Sequence, residues 1–296
     1  MFINILFVFV YYLIEAILSI LGFYIGSELI VKGGKEIIQQ GFMLGALSVL
    51  PELIILSNLL FHKNFYLALS SFFITALTIY TLGIAIVNVS VFLKWRKRRI
   101  SIVNFKERRI ILIIMSILLS IFILQKINLE IGIVSLFILS YYLMLRLNEV
   151  KFSVRSLLFM LSGITILWIA SNNLVFMSSK FLPSWAFTIF LFPIVLNIQD
   201  IIVAIKGSLS SPELGSQMTL SFIVETIILS AFTLSLAGLL GGPEGVFIGI
   251  NYSLLALILV STLMFVLFNN NNLSIKESII LLSMYSLVPM SILLHA

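Results

Sequence analysis

Residues 43–61 read MLGALSVLPELIILSNLLF, nineteen positions with a single charge, Glu52, set directly behind Pro51. A run of this length without further charge is long enough to cross a bilayer, which takes about 20 residues as a helix. The proline sits mid-run, where it removes one backbone bond and pushes away the carbonyl of the residue four earlier, Leu47. A carbonyl oxygen, the Ser48 hydroxyl and the Glu52 carboxylate then share adjoining turns. That is oxygen chemistry suited to a hard cation.

The rest of the chain has the same character. Of 296 residues, 61% are hydrophobic and 10% charged, and mean hydropathy is +1.20. A soluble domain carries roughly 25% charged residues, so the chain reads as an all-α integral membrane protein. Its apolar runs are too long and too continuous for the alternation of a membrane β-barrel. Ten spans are expected: Phe2–Val31, Met43–Phe61, Phe65–Leu93, Ile110–Leu124, Leu129–Leu147, Leu157–Met177, Trp185–Ile205, Gln217–Leu240, Val246–Phe268 and Lys276–Leu294. The first lacks the basic flank and small-residue site of a cleavable signal and reads as a true span. Zero cysteines exclude thiol chemistry, disulfides and thiolate metal sites.

Loop charge orients the spans. Fifteen Lys and Arg fall in the odd-numbered loops, eight of them between Lys94 and Arg109, against Lys63, Lys126 and Lys180 on the opposite side. Basic loops stay cytoplasmic, which predicts a multi-pass protein of the cell membrane with both termini extracytoplasmic. The same rule accounts for the pI near 9.5 without a nucleic-acid partner.

An internal repeat is visible. Gly26-Ser27-Glu28-Leu29-Ile30-Val31 ends span 1, and Ala170-Ser171-Asn172-Asn173-Leu174-Val175 ends span 6. About 25 residues later each half places an acid in an apolar helix, Glu52 in span 2 and Asp200 in span 7. Five spans separate the halves, an odd number, so the second is inserted upside down. The expected architecture is two inverted five-helix repeats, residues 1–150 and 151–296. Such repeats put the substrate site near the midplane, where broken helices meet.

Few polar residues remain inside the spans. Span 7 offers Asn197 and Asp200 with Gln199 between them and Pro193 upstream; span 8 offers Ser221 and Glu225 one turn apart; span 3 offers Thr75 and Thr78. Three carboxylates at membrane depth cost on the order of 8–10 kcal/mol even on insertion scales. No basic residue is expected at that depth, so protons or bound cations must offset them. The blander reading is that hydroxyls such as Ser48, Thr75 and Ser221 bond their own helices, and that a lone acid bonds a neighbour. Acids at matching repeat positions argue against coincidence. Glu15, whose approximate repeat mate is Phe159, is read as structural or lumen-facing, and the Gly26–Val31 segment as helix packing.

The end of span 1 followed by Leu50-Pro51-Glu52 resembles the cation/calcium exchanger superfamily, which includes sodium/calcium exchangers. That family repeats G-[ST]-S-L-P-E in spans 2 and 7 and G-N-x-x-G-S-N-x-x-[ND] in spans 3 and 8. Here Ser48, Leu50, Pro51 and Glu52 fit, with Leu47 and Val49 in place of the Gly and Ser. In the second half Asp200 keeps the acid, Asn197 takes the serine position and Gln199 the proline. Thr75 falls on the motif serine of span 3 and Ile79 on its final acid or amide. Ser221 and Glu225 fit the serine and acid of span 8 across a gap of two.

The resemblance implies cation-ligand roles for Glu52, Asp200, Glu225, Ser48, Thr75, Asn197 and Ser221. It also implies an antiporter exchanging a divalent cation, Ca²⁺ foremost, for Na⁺ or H⁺ by alternating access, with no cofactor and no enzymatic step. Inorganic cations and membrane lipid are then its partners. Two alternatives stand beside it: a drug/metabolite-type carrier, which calls for a large aromatic-lined cavity, and a non-transporting family member with eroded motifs. An intramembrane enzyme is disfavoured, because His62 and His295 lie outside the spans and no Ser-Lys or paired-Asp motif occurs.

Overall fold

The computed structural model describes most of residues 14–29, then 41–101, 107–147, 154–181, 197–249, 251–268 and 271–293. The start of span 1, the first part of span 7 with Pro193, the loop lysines Lys32, Lys35, Lys151, and the extreme termini lie outside the described residues.

Span 2 is two helices, α1 (Gly41–Ser48) and α2 (Leu50–Phe61), parted at Val49. The break follows from Pro51 in the first turn of α2, which has no N–H to offer Leu47. Span 3 is also interrupted. Helix α3 (Phe65–Thr78) passes through a π turn at Ile79–Gly83 into α4 (Ile84–Trp95). The Ile84 amide bonds the Ile79 carbonyl five residues back, the spacing that defines a π turn. Sequence reading predicts one continuous helix here, and the π turn corrects it.

Helices α5 (Glu107–Leu124), α6 (Leu129–Leu147) and α7 (Val154–Phe181) follow, then α8 (Asn197–Ser210) and α9 (Pro212–Gly241). The Ser211 hydroxyl caps α9 by accepting from the Leu214 amide. Span 9 starts later than expected, as α10 (Tyr252–Leu267), because Val246–Phe247 pair as a strand. The last span divides into α11 (Ile275–Met284) and α12 (Leu287–Leu293). Pro289 cannot donate to Tyr285, whose carbonyl instead accepts from Val288 at 3.0 Å.

Three described helices are long and apolar enough to cross a membrane: Phe65–Trp95, Leu129–Arg146 and Pro212–Gly241. Inside the protein lie 78% of the apolar stretch of α9 and 72% of that in Phe65–Trp95, against 28% for α6. The first two therefore form the core. Helix α6 turns Phe137, Tyr141 and Met144 outward, an apolar face suited to lipid.

Helix α9 packs on α1, α2, α4, α6 and α8. The closest approaches are through glycine: a Cβ on Gly45 would lie 2.2 Å from the Ser221 carbonyl oxygen, and one on Gly238 would lie 2.6 Å from the Gly132 Cα. Gly41 and Gly45 are four apart, the spacing by which small residues let membrane helices touch. Gly26 is also a packing residue, since its Cβ would meet the Gly163 carbonyl at 3.0 Å.

Two short antiparallel strand pairs fasten loops together: β1 (Arg99–Ser101) with β4 (Asn272–Ser274), and β2 (Lys126–Ile127) with β3 (Val246–Phe247). The first joins the third and ninth loops, the second the fourth and eighth. These four pieces are the only departures from helix and turn among the described elements.

Candidate cation site

Glu52 stands in the first turn of α2, one residue beyond Pro51. Asp200 stands in the first turn of α8 and Glu225 midway along α9. A carboxylate oxygen from each lies within 4.8 Å of the others. Glu52 is 1% and Glu225 0% exposed, and Asp200 is partly buried. An oxygen of Glu52 (Oε2) and one of Glu225 (Oε1) have no hydrogen-bond partner among the described residues. Neither ion pair among those residues, Lys97–Glu213 nor Arg146–Glu107, involves the three acids.

This gathering depends on the break and the glycines. Parting span 2 at Val49 puts Glu52 at the start of a half-helix, where the unsatisfied backbone amides favour negative charge. The Gly41 and Gly45 contacts bring α1 onto α9. Ser48 then reaches across, its one hydroxyl proton shared between Glu225 Oε2 at 3.0 Å and the Gly45 carbonyl at 3.2 Å.

The remaining candidates occupy the surrounding helices. Asn197 is buried one turn before Asp200, and Ser221 is buried one turn before Glu225. Thr75 is 0% exposed in α3 and its hydroxyl makes no hydrogen bond among the described residues. Thr78, by contrast, bonds its own helix through the Ile74 carbonyl at 2.8 Å. Ile79, on the motif's last position, is buried and opens the π turn.

One charge reading changes. Arg146 is no loop charge: it is buried and paired with Glu107, which also accepts from the Tyr142 hydroxyl at 3.2 Å. Phe42 of α1 packs edge-on against Tyr142 with centroids 5.8 Å apart. This buried pair went unread because both residues border charged loop segments, and nothing local marks them as burying. The Gly41–Gly45 spacing was legible in the sequence, but only the contact with α9 shows what it serves.

No family model matches the chain, and no curated protein does. Among solved structures, the crystal structure of the H⁺/Ca²⁺ exchanger CAX superposes with a TM-score of 0.73 at 11% identity, over 95% of this chain and 85% of that one. The sodium–calcium exchanger NCX_Mj, soaked with 2.5 mM Na⁺ and 10 mM Sr²⁺, gives 0.66 at 13% identity, over 95% and 98%. The same exchanger soaked with zero Na⁺ and Ca²⁺ gives 0.63 at 14% identity. The fold is that of membrane cation exchangers. The chain shares the fold of these two exchangers across nearly its full length.

Proposed function

We propose that this protein is a ten-span antiporter that exchanges a divalent cation, Ca²⁺ foremost, for Na⁺ or H⁺. The observation that carries the reading is the meeting of Glu52, Asp200 and Glu225 within 4.8 Å, from three helices, outside both ion pairs found among the described residues. Two unit charges 4 Å apart repel by about 4 kcal/mol at an effective dielectric of 20. Three such acids need a mobile positive charge between them. Ca²⁺ sits about 2.3–2.6 Å from each oxygen, so two oxygens of one ion lie no more than about 5 Å apart. The cluster meets that limit.

Ser48 would orient Glu225, while Thr75, Asn197 and Ser221 would supply further oxygens toward the six to eight that Ca²⁺ takes. At the corner held by Ile79 the side chain has no oxygen to offer. With that corner apolar, several separate Na⁺ positions are harder to fill. We therefore assign protons the place of at least one Na⁺ in the cycle. A drug/metabolite carrier would keep its acids apart around a wide cavity, unlike this cluster.

The inverted-repeat layout is supported by matching parts. Each half carries an acid in the first turn of a short helix, then a long buried one, Phe65–Trp95 and Pro212–Gly241. The alternation of the spans is supported by the loop fastenings, since each strand pair joins loops that the span count places on one side; which side is cytoplasmic rests on the loop charge.

The test is ion flux in proteoliposomes under separately imposed Na⁺ and pH gradients. Ca²⁺ movement driven by a pH gradient alone, with no Na⁺ present, is expected. Strict dependence on Na⁺ would reject the proton assignment. Absence of divalent flux under both gradients would reject the antiporter and leave the non-transporting family member.

A further inference from the structure

The six residues from Lys94 to Arg99 are all exposed, and five are cations: Lys94, Arg96, Lys97, Arg98 and Arg99. Two of the five are engaged by the protein. The Lys94 ammonium donates to the Leu209 carbonyl and lies 5.3 Å from the Trp95 ring centroid. Lys97 pairs with Glu213 at 3.7 Å. The other nearby acid, Glu277, accepts from the Ser274 amide in its capping box. Arg96, Arg98 and Arg99 form no ion pair among the described residues.

The segment is held in place. Arg96 ends α4 in the left-handed region at φ 54°. The Arg98 carbonyl accepts from the Ile275 amide at 3.0 Å. Arg99 pairs with Ser274 in the β1–β4 ladder, and its neighbour Ile100 is 3% exposed. Strand alternation thus buries Ile100 and turns Arg99 outward. Just before the cations, Leu93 (62% exposed) and Trp95 (40% exposed) present apolar surface where α4 leaves the apolar layer.

We propose that Arg96, Arg98 and Arg99, beside Trp95 and Leu93, form a docking site for the phosphate headgroups of anionic phospholipid. Guanidinium forks match phosphate oxygens two at a time. A tryptophan at the headgroup level suits a membrane interface, and clustered cations at the end of a membrane helix attract anionic lipid. The apolar pair distinguishes this surface from one for a soluble polyanion. The site also touches the transport machinery. Trp95 Nε1 donates to the Ser208 carbonyl at 3.2 Å and Lys94 to Leu209, at the corner joining the helix of Asp200 to the helix of Glu225. Lipid seated here steadies that corner.

The test uses the full chain purified in neutral detergent, with fluorescent phosphatidylglycerol as probe and phosphatidylcholine as control. Binding needs no transport, so its outcome is independent of the exchange reading. Phosphatidylglycerol is expected to bind, with affinity falling as salt rises, and phosphatidylcholine is not. Each cation near an anionic surface is worth roughly fivefold, so Arg96→Gln, Arg98→Gln and Arg99→Gln together should cost on the order of a hundredfold. Lys126→Gln, an exposed cation elsewhere, should change nothing. Equal binding of the two lipids by the native chain, or salt-independent binding, overturns the proposal even if the triple variant misfolds. Unchanged phosphatidylglycerol binding by a folded triple variant overturns it as well. Displacement by millimolar glycerol 3-phosphate would mean a free-phosphate site and would overturn the lipid assignment.

Discussion

A buried hydroxyl in an apolar helix ordinarily bonds the carbonyl one turn back, as Thr81 does with Leu77 at 2.7 Å. Thr75, in the same span and equally buried, leaves its hydroxyl without a partner among the described residues. An unsatisfied buried hydroxyl costs about 1–3 kcal/mol, so Thr75→Val should raise stability toward unfolding in detergent while weakening divalent binding. A purely structural Thr75 would leave binding unchanged. Ser48 is the counterpart, a hydroxyl that holds a carboxylate. Removing a group that orients a metal ligand costs roughly 10–100-fold in metal affinity, and Ser48→Ala should fall in that range. Glu52→Gln, Asp200→Asn and Glu225→Gln should each lose more, in isotope binding by folded protein. Motif alignment ranks Glu225 behind the other two, whereas its burial and its bond to Ser48 place it level with them. Divalent affinity should fall as pH falls, because protons compete for the same oxygens.

Helix α1 is only eight residues long, yet its placement decides whether Ser48 meets Glu225. A methyl group at Gly45 would stand 2.2 Å from the Ser221 carbonyl oxygen and 2.9 Å from the Val224 Cβ. Gly45→Ala must push α1 off α9, at an overpacking cost of about 1–3 kcal/mol, and should abolish Ca²⁺ flux with the three acids intact. Gly242→Ala meets nothing within 4 Å; it strains only its own backbone at φ 65° and should leave flux unchanged. Flux in Gly45→Ala equal to that of the native chain would show that α1 does not position the site. The break before Glu52 was legible because proline has one local meaning inside a helix. The π turn was not, since Ile79-Tyr80-Thr81-Leu82-Gly83 suits an α-helix equally well and only packing selects the wider turn. The ion pair of Glu107 with Arg146 is a contact between separate helices, which periodicity does not report.

At the scale of the molecule, the expectation of two inverted halves rests on an echo of acids and small residues, and that of a membrane on composition alone. The loop fastenings could not be read, because strands of two or three residues carry no periodic pattern. They fix which loops share a side, and loop charge then sets the orientation. Cysteine at Ser101 should resist an impermeant thiol reagent in intact cells, and cysteine at Glu244, an exposed position in the eighth loop, should react; the reverse pattern would invert the protein. The fastenings have another consequence. β1–β4 and β2–β3 each bind a strand from residues 1–150 to one from residues 151–296, and α9 is wedged against α1 and α6 through glycine contacts. The peptide link between the halves is then mechanically redundant. A gene cut between codons 150 and 151 should yield two fragments that find each other in the bilayer, co-purify through a tag on either one, and recover Ca²⁺ flux without ligation.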